Sequence, residues 1–404
     1  MGKLAITGGG PLRSAPLPNW PVHDEREVQA LTRVAYSGRW LMGREVAEFE
    51  QAFAENQHAR HGICVTNGTT TMAIGLKALG VAPGHEILLP ALSHFVTLAA
   101  LICKAIPVYV DVDPNSYNFD PKNVEQAITP RTKAIILIHY SGTPADMDGV
   151  MEVANKHHLG VIEDSAHAHG SEWKGTRVGA IGHLGSFSFQ ADKVMVSGDG
   201  GIITTNDDAL AAACRSYRNF GMAPNVCGGN YRMTEFQAAV LKVQLSRLDD
   251  QIAQRKENLD LLDARLAQID GIKPLPFDPR ITRHSGYGRV LRYDFERFGV
   301  PVKTVIRAIY REGLPVAQVW PPAQRHWIFD EDKFGMKGCP FSCHQRDINY
   351  REQVFPVAER AFDQEGIYVP RTIMVGGKRE MNDLADAIAK VMENIDELRD
   401  LPVD

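Results

Sequence analysis

The sequence predicts an α/β fold with a mainly parallel, seven-stranded sheet and a smaller C-terminal α+β domain. Three observations predict it. Between residues 60 and 205, seven short apolar runs rich in β-branched residues alternate with helical stretches. These runs are nearly continuous rather than strictly alternating, as strands read when both faces of a sheet are covered. After Gly271 the texture changes: Pro274, Pro276 and Pro279 break the chain, and two shorter α/β-like units and an amphipathic helix follow.

In chain order, residues 1–25 are rich in Gly and Pro and read as an extended arm. The candidate strands are 62–65, 86–89, 107–112, 134–139, 161–163, 186–189 and 202–205. Helical patterns lie between them at 71–82, 96–104 and 147–158; Asp146 or Pro144 starts the last and Gly160 stops it. Strand–helix–strand alternation implies a layered domain whose ligands sit beyond the carboxyl ends of the strands. From 234 to 269, leucines and isoleucines at helical spacing predict one long helix, and 380–398 predicts a terminal amphipathic helix. The expected organisation is an arm (1–25), a large domain (26–250), and a connecting helix with a small domain (251–404).

Composition narrows the function classes. A chain of 404 residues with 44% hydrophobic and 23% charged side chains forms a substantial core. A net charge of −5 gives no electrostatic case for nucleic acid or an anionic membrane. The first residues lack the apolar stretch of a secretory signal, and no apolar run approaches the ~20 residues that span a bilayer. The six cysteines follow no framework spacing and read as reduced thiols, so the expected location is cytoplasmic. Cys339, Cys343 and His344 lack an evident fourth ligand, and no metal is expected.

Four segments fall at expected strand ends. Thr66-Asn67-Gly68-Thr69-Thr70 opens a helix, where orphan N–H groups and the dipole favour an anion; an ordinary cap explains it too. Asp164 ends a buried strand in Glu163-Asp164-Ser165-Ala166-His167, and can stay ionised there only against a cation such as a protonated heterocyclic nitrogen. Capping the next turn is its alternative role. Ser188 and Lys193 follow another strand; a lysine amine with a depressed pKa suits Schiff-base chemistry, although most lysines are simply solvated. Gly228-Gly229-Asn230-Tyr231-Arg232 precedes the long helix, with Thr234 as a cap.

Taken together, the phosphate-type site, the acidic strand end, Ser188 with Lys193, and Asn230-Tyr231-Arg232 resemble fold-type-I pyridoxal-phosphate (PLP) enzymes in order and spacing. More narrowly, the chain resembles the DegT–StrS family of sugar and cyclitol aminotransferases over nearly its whole length. The resemblance includes Ser37-Gly38-Arg39-Trp40, the segment from His139 to Asp148, the segment from Glu163 to Gly170, Gly185-Ser186-Phe187-Ser188-Phe189-Gln190, and Phe355-Pro356-Val357.

The resemblance implies that Lys193 is the Schiff-base lysine, which also moves the proton. Asp164 would pair with the pyridine nitrogen, and His167 would lie near the phenolic oxygen or ring. Gly68, Thr69, Thr70 and Ser188 would hold the phosphate. Asn230 would reach the cofactor of the second subunit, implying a homodimer with shared sites. The ring-stacking aromatic falls at His94, with Phe95 beside it, where the family usually has Phe, Tyr or Trp. The segment between Asn219 and Gly228 is shorter than in many relatives. The implied function is amino transfer from glutamine or glutamate to a keto-cyclitol or keto-sugar, in aminocyclitol or amino-sugar biosynthesis. Residues around Lys193 and the arm look most like the branch of scyllo-inosose aminotransferases and aminohydroxybenzoate synthases. A nucleotide-linked keto-sugar is the alternative acceptor, and Trp320, Arg325 and His326 are candidate substrate contacts. A dehydratase of the same fold would carry histidine in place of Lys193. A non-catalytic regulator would have no need of Lys193, Asp164 and Ser188 together.

Overall fold

The computed structural model describes residues 2–222, 227–330 and 348–402. All seven expected strands form one sheet: β1 (His61–Val65), β2 (Glu86–Pro90), β3 (Ile106–Val110), β4 (Thr132–Ile138), β5 (Gly160–Asp164), β6 (Leu184–Ser188) and β7 (Gly201–Thr205). Their order is β1-β7-β6-β5-β4-β2-β3, and only β7 runs against its neighbours. The carboxyl ends of β1, β2, β5 and β6 therefore share one rim.

Helices α1 (Glu25–Ser37), α2 (Arg44–Asn56), α3 (Gly68–Ala78), α4 (Phe95–Ile102), α5 (Met147–Lys156) and α6 (Asp208–Arg218) accompany this sheet. Alternation along β6 assigns its two faces. Phe187 packs edge-on against Phe53 of α2, with ring centres 5.0 Å apart. Ser186 instead meets the Thr71 hydroxyl of α3. Helix α3 sits close to the sheet because Gly75 has no side chain: a β-carbon there would lie 3.0 Å from Ile162 and 3.2 Å from Leu184.

The predicted single helix over 234–269 is two helices, α7 (Glu235–Leu245) and α8 (Leu248–Leu266). The Ser246 hydroxyl donates to the Val243 carbonyl at the break. Arg247 is drawn into a buried ion pair with Glu27 of α1, which the Gln244 amide also contacts at 2.7 Å. Past the break, Leu259, Leu262 and Leu266 pack into a second core.

That core covers a four-stranded antiparallel sheet of β8 (Ile272–Pro274), β9 (Gly288–Tyr293), β10 (Ala317–Gln318) and β11 (Gly366–Pro370), in the order β8-β9-β11-β10. Helices α9 (Val302–Arg311) and α10 (Lys378–Glu393) contribute Val305, Ile309, Leu384 and Ile388 to it. The predicted helix at 380–398 thus ends at Glu393, and a separate 3-10 turn covers Ile395–Leu398.

The arm is tied down rather than free. Leu4 is fully buried in the second core, and Arg13 pairs with Glu380 (2.9 Å) and Asp383 (2.5 Å) of α10. Further along, the Trp20 indole donates to the Ala191 carbonyl at 2.8 Å, two residues before Lys193.

Candidate active site

A cavity of about 670 Å³ opens at the rim of the large sheet. Gly68, Thr69, Thr70, Asp164, His167, Ser188 and Lys193, which sequence alone singled out, all line it.

Helix α3 points its first turn at the cavity. Asn67 caps it, its Oδ1 accepting from the Thr70 amide at 2.9 Å and the Thr70 hydroxyl at 2.9 Å. As first-turn donors, the Gly68 and Thr69 amides have no carbonyl partner inside the helix. Glycine is required at 68: a β-carbon would sit 2.8 Å from that of Ser188. Helix start and strand end thus converge as a small cradle of N–H and hydroxyl groups, suited to a phosphate.

Asp164 and Glu163 end β5 on opposite faces. Glu163 is fully buried and saturated: it accepts from the Gly179 amide (2.7 Å), the Ile181 amide (2.8 Å), the Gly182 amide and His139 Nε2 (3.1 Å). Asp164 accepts from the Ala166 amide at 3.1 Å. Burial raises its pKa, and that amide bond and the charges of Lys193 and His139 offset the rise only in part. A protonated ring nitrogen is the partner such a carboxylate requires.

Lys193 lies on the turn after β6, its amide donating to the Gln190 carbonyl at 2.9 Å. Burial lowers the amine pKa to about 8, against the opposing pull of Asp164 and Asp192; the Arg371 cation adds to the lowering. The Nζ lies 5.5 Å from the centre of the Tyr287 ring. His167 stacks on that tyrosine, 3.9 Å between ring centres at 9°. Burial and the Lys193 charge hold the imidazole pKa well down, so it is neutral, and its Nδ1 is buried without a partner.

The remaining candidates separate. His94 does not line the cavity; its ring stacks on His326 at 4.1 Å, while the adjacent Phe95 does line it. Asn230 is exposed, accepts from Arg232 Nε at 2.9 Å, and does not line this chain's cavity. Of the three candidate substrate contacts, Trp320 lines the cavity. Arg325 is instead engaged in a bidentate pair with Asp363 (2.7 Å twice), and His326 is occupied by the His94 stack. Cys339, Cys343 and His344 lie outside the described residues. Among the described residues no cluster of His, Cys, Asp or Glu could hold a metal. Sequence reasoning missed Tyr287; Ser285-Gly286-Tyr287-Gly288 carries no signal except glycines flanking an aromatic.

A buried amine of lowered pKa, an under-paired carboxylate and a phosphate-type cradle on one strand-end rim define a lysine-dependent PLP enzyme. The group fits Asp164, whose carboxylate has one amide partner, and the Gly68–Ser188 cradle. The chain belongs to the DegT/DnrJ/EryC1/StrS aminotransferase family, which matches residues 21–357. It is 36% identical to a putative L-glutamine:3-amino-2,3-dideoxy-scyllo-inosose aminotransferase of Streptoalloteichus tenebrarius, over 98% of this chain and 99% of that protein. It is 35% identical, with the same coverage, to the L-glutamine:2-deoxy-scyllo-inosose aminotransferase of that organism. Among solved structures, 3-amino-5-hydroxybenzoic acid synthase superposes with a TM-score of 0.85 at 32% identity, covering 94% of this chain and 100% of that one.

Proposed function

We propose that this aminotransferase moves an amino group from L-glutamine or L-glutamate to a keto-cyclitol, in aminocyclitol biosynthesis. The buried Lys193 amine, with its pKa lowered to about 8, is the observation that carries the reading. Both scyllo-inosose aminotransferases named above support the cyclitol acceptor over a nucleotide-linked keto-sugar.

Bound PLP supplies an electron sink for the charge that develops on the amino acid's α-carbon. The chain's residues supply the rest. The α3 amides and hydroxyls with Ser188 would hold the phosphate. Asp164 would keep the ring nitrogen protonated. His167 would lie near the phenolic oxygen or ring. The Lys193 amine would hold the cofactor, and its Nζ would carry the α-proton. Aromatic faces of Phe95, Tyr287 and Trp320 exclude water from that transfer.

The working unit is a homodimer in the cytoplasm, each Asn230 completing the other subunit's site. Its support is a set of exposed apolar side chains along the segment from Gly229 to Phe236: Trp40, Leu41, Met42 and Phe220. Trp40 lies against Phe236, and Phe220 under Arg232. Among the described residues no helix is long and apolar enough to cross a membrane. A division into a large domain to about residue 250 and a small one beyond is supported by the helix break at Ser246–Arg247.

The test is a pair of half-reactions. The purified, PLP-loaded protein is yellow, and L-glutamine or L-glutamate should bleach it. 2-Deoxy-scyllo-inosose or a related keto-cyclitol should then restore the colour. Restoration by nucleotide-linked keto-sugars alone refutes the cyclitol acceptor; failure to bleach with either amino acid refutes the donor.

A further inference from the structure

We propose that the Asp192–Arg371 ion pair is the gate for the amino donor: Arg371 takes the donor's α-carboxylate, and Asp192 holds Arg371 until the donor displaces it. This rests on the amino-acid donor proposed above and names the residues that recognise it.

Arg371 begins the short helix Arg371–Met374 that follows β11, and its guanidinium pairs with the Asp192 carboxylate. The pair joins the end of β11 to the turn that carries Lys193. Its two partners differ in burial: the arginine side chain is 12% exposed and the aspartate 63%. Arg371 Nε is buried without a hydrogen-bond partner, and the guanidinium carbon lies 5.9 Å from the centre of the Trp20 ring. The same indole donates to the carbonyl of Ala191, next to Asp192. The cation is thus built into the wall. Its carboxylate partner sits on the solvent side and can swing away with little loss of pairing energy, as exposed partners do.

Charge says why a donor needs Arg371. The charged side chains that line the cavity are Asp164, Asp192, Asp199 and Lys193. An amino acid brings a carboxylate one bond from its reacting carbon. A carboxylate entering a rim of three aspartates needs a cation, and Lys193 is the amine proposed to react. Arg371 is close enough for its charge to lower the pKa of both Lys193 and His167. Of the other guanidinium groups considered, Arg325 is bound to Asp363 and Arg255 is fully buried. A planar guanidinium can meet both oxygens of a carboxylate with parallel N–H groups. Asp192 offers that same chemical group, so it and the donor compete for one cation. The keto-cyclitol proposed as acceptor carries no charge, which confines the competition to the donor half-reaction.

The size of the effect follows from how long the pair stays closed. A pair closed about nine-tenths of the time lowers the apparent donor affinity about tenfold.

The experiment follows bleaching of the PLP-loaded protein by L-glutamine, or L-glutamate if that is the donor, and by the matching α-amide, in which a neutral amide replaces the α-carboxylate. Concentration dependence separates the half-saturating concentration from the limiting rate. The wild type should prefer the α-carboxylate by about a hundredfold. Arg371→Gln should raise the half-saturating donor concentration about ten- to a hundredfold and remove most of that preference; Arg371→Lys, a cation without the fork, should recover part of it. Asp192→Asn should lower the half-saturating donor concentration about three- to tenfold and move the α-amide far less. In an Arg371→Gln background this gain should vanish. Should Arg371→Gln not fold, Arg371→Lys takes its place in both comparisons, with the preference and the gain reduced rather than abolished. A preference for the α-carboxylate that survives substitution of Arg371 would overturn the inference. So would a donor requirement raised or unmoved by Asp192→Asn, or a gain undiminished by substitution of Arg371, the result for an aspartate that acts by general repulsion. Absence of bleaching by either amino acid in the wild type would instead count against the donor assignment.

Discussion

The two walls of the cavity are built from different material. On one side, the rim of the large sheet supplies Asp164, Ser188, Lys193 and the first turn of α3, each the residue at or just after a strand end. On the other, segments beyond residue 285 supply Tyr287 and Trp320, with Tyr368 behind them: large rings whose neighbours come from distant parts of the chain. The first wall holds the groups that ionise near neutrality or must stay charged. The second holds aromatic faces, with the Arg371 cation close by. The groups proposed for the reaction therefore sit on the sheet, while the opposite wall is assembled by packing. A fixed scaffold for one and an adaptable wall for the other is how a single fold serves many acceptors.

This contrast can be broken by substitution on each side. The largest effect belongs to Lys193→Ala, which removes the proposed anchor and proton carrier. Steady-state turnover should fall by about a thousandfold or more while the fold persists; near-normal turnover would remove Lys193 from the reaction. Asp164→Asn follows, with an expected loss on the order of a hundredfold in rate and a smaller loss of cofactor occupancy, since a neutral amide cannot hold the ring nitrogen protonated. On the packed wall, Trp320→Ala should raise the acceptor KM about tenfold and leave glutamine-driven bleaching nearly unchanged. Equal damage to both half-reactions would erase the distinction between the walls.

Two finer measurements sharpen the comparison. In the cofactor-free protein, the rate of PLP uptake by Lys193 should rise with pH through a midpoint of about 8. The sign follows from the lowered amine pKa: the neutral form, which attacks the aldehyde, is populated above about 8 rather than only above the ordinary 10.5. A midpoint near 10 would mean that burial does not depress the amine. Last, Glu163→Gln touches the other face of β5. It should cost about 2–3 kcal/mol of stability in thermal or denaturant unfolding, because a saturated buried acceptor is weakened. Turnover per folded molecule should hold within a few-fold. A catalytic collapse there would mean that the two faces of β5 are not independent.

The sequence by itself determined the large sheet and its reactive rim. Continuous apolar runs specify buried strands, and in a parallel sheet the residue after each run lies on the ligand-binding edge. Gly68, Asp164, Ser188 and Lys193 stood out as strand-end positions for that reason, but each was weak alone, and only their joint order along the chain gave them their proposed roles. The arm, the helix break and the packed wall were not. Nothing in local periodicity separates α7 from α8, because the break is set by Arg247 reaching Glu27, 220 residues away in sequence. Arg325 read as a substrate contact until Asp363, a residue with no local tie to it, was seen to hold it. The face shown by His94 and the stacking of Tyr287 on His167 depend likewise on segments that meet only on folding. Local pattern fixes which residues end a strand; only the closed tertiary structure decides what each end faces, because burial, pairing and pKa are properties of the surroundings rather than of the residue.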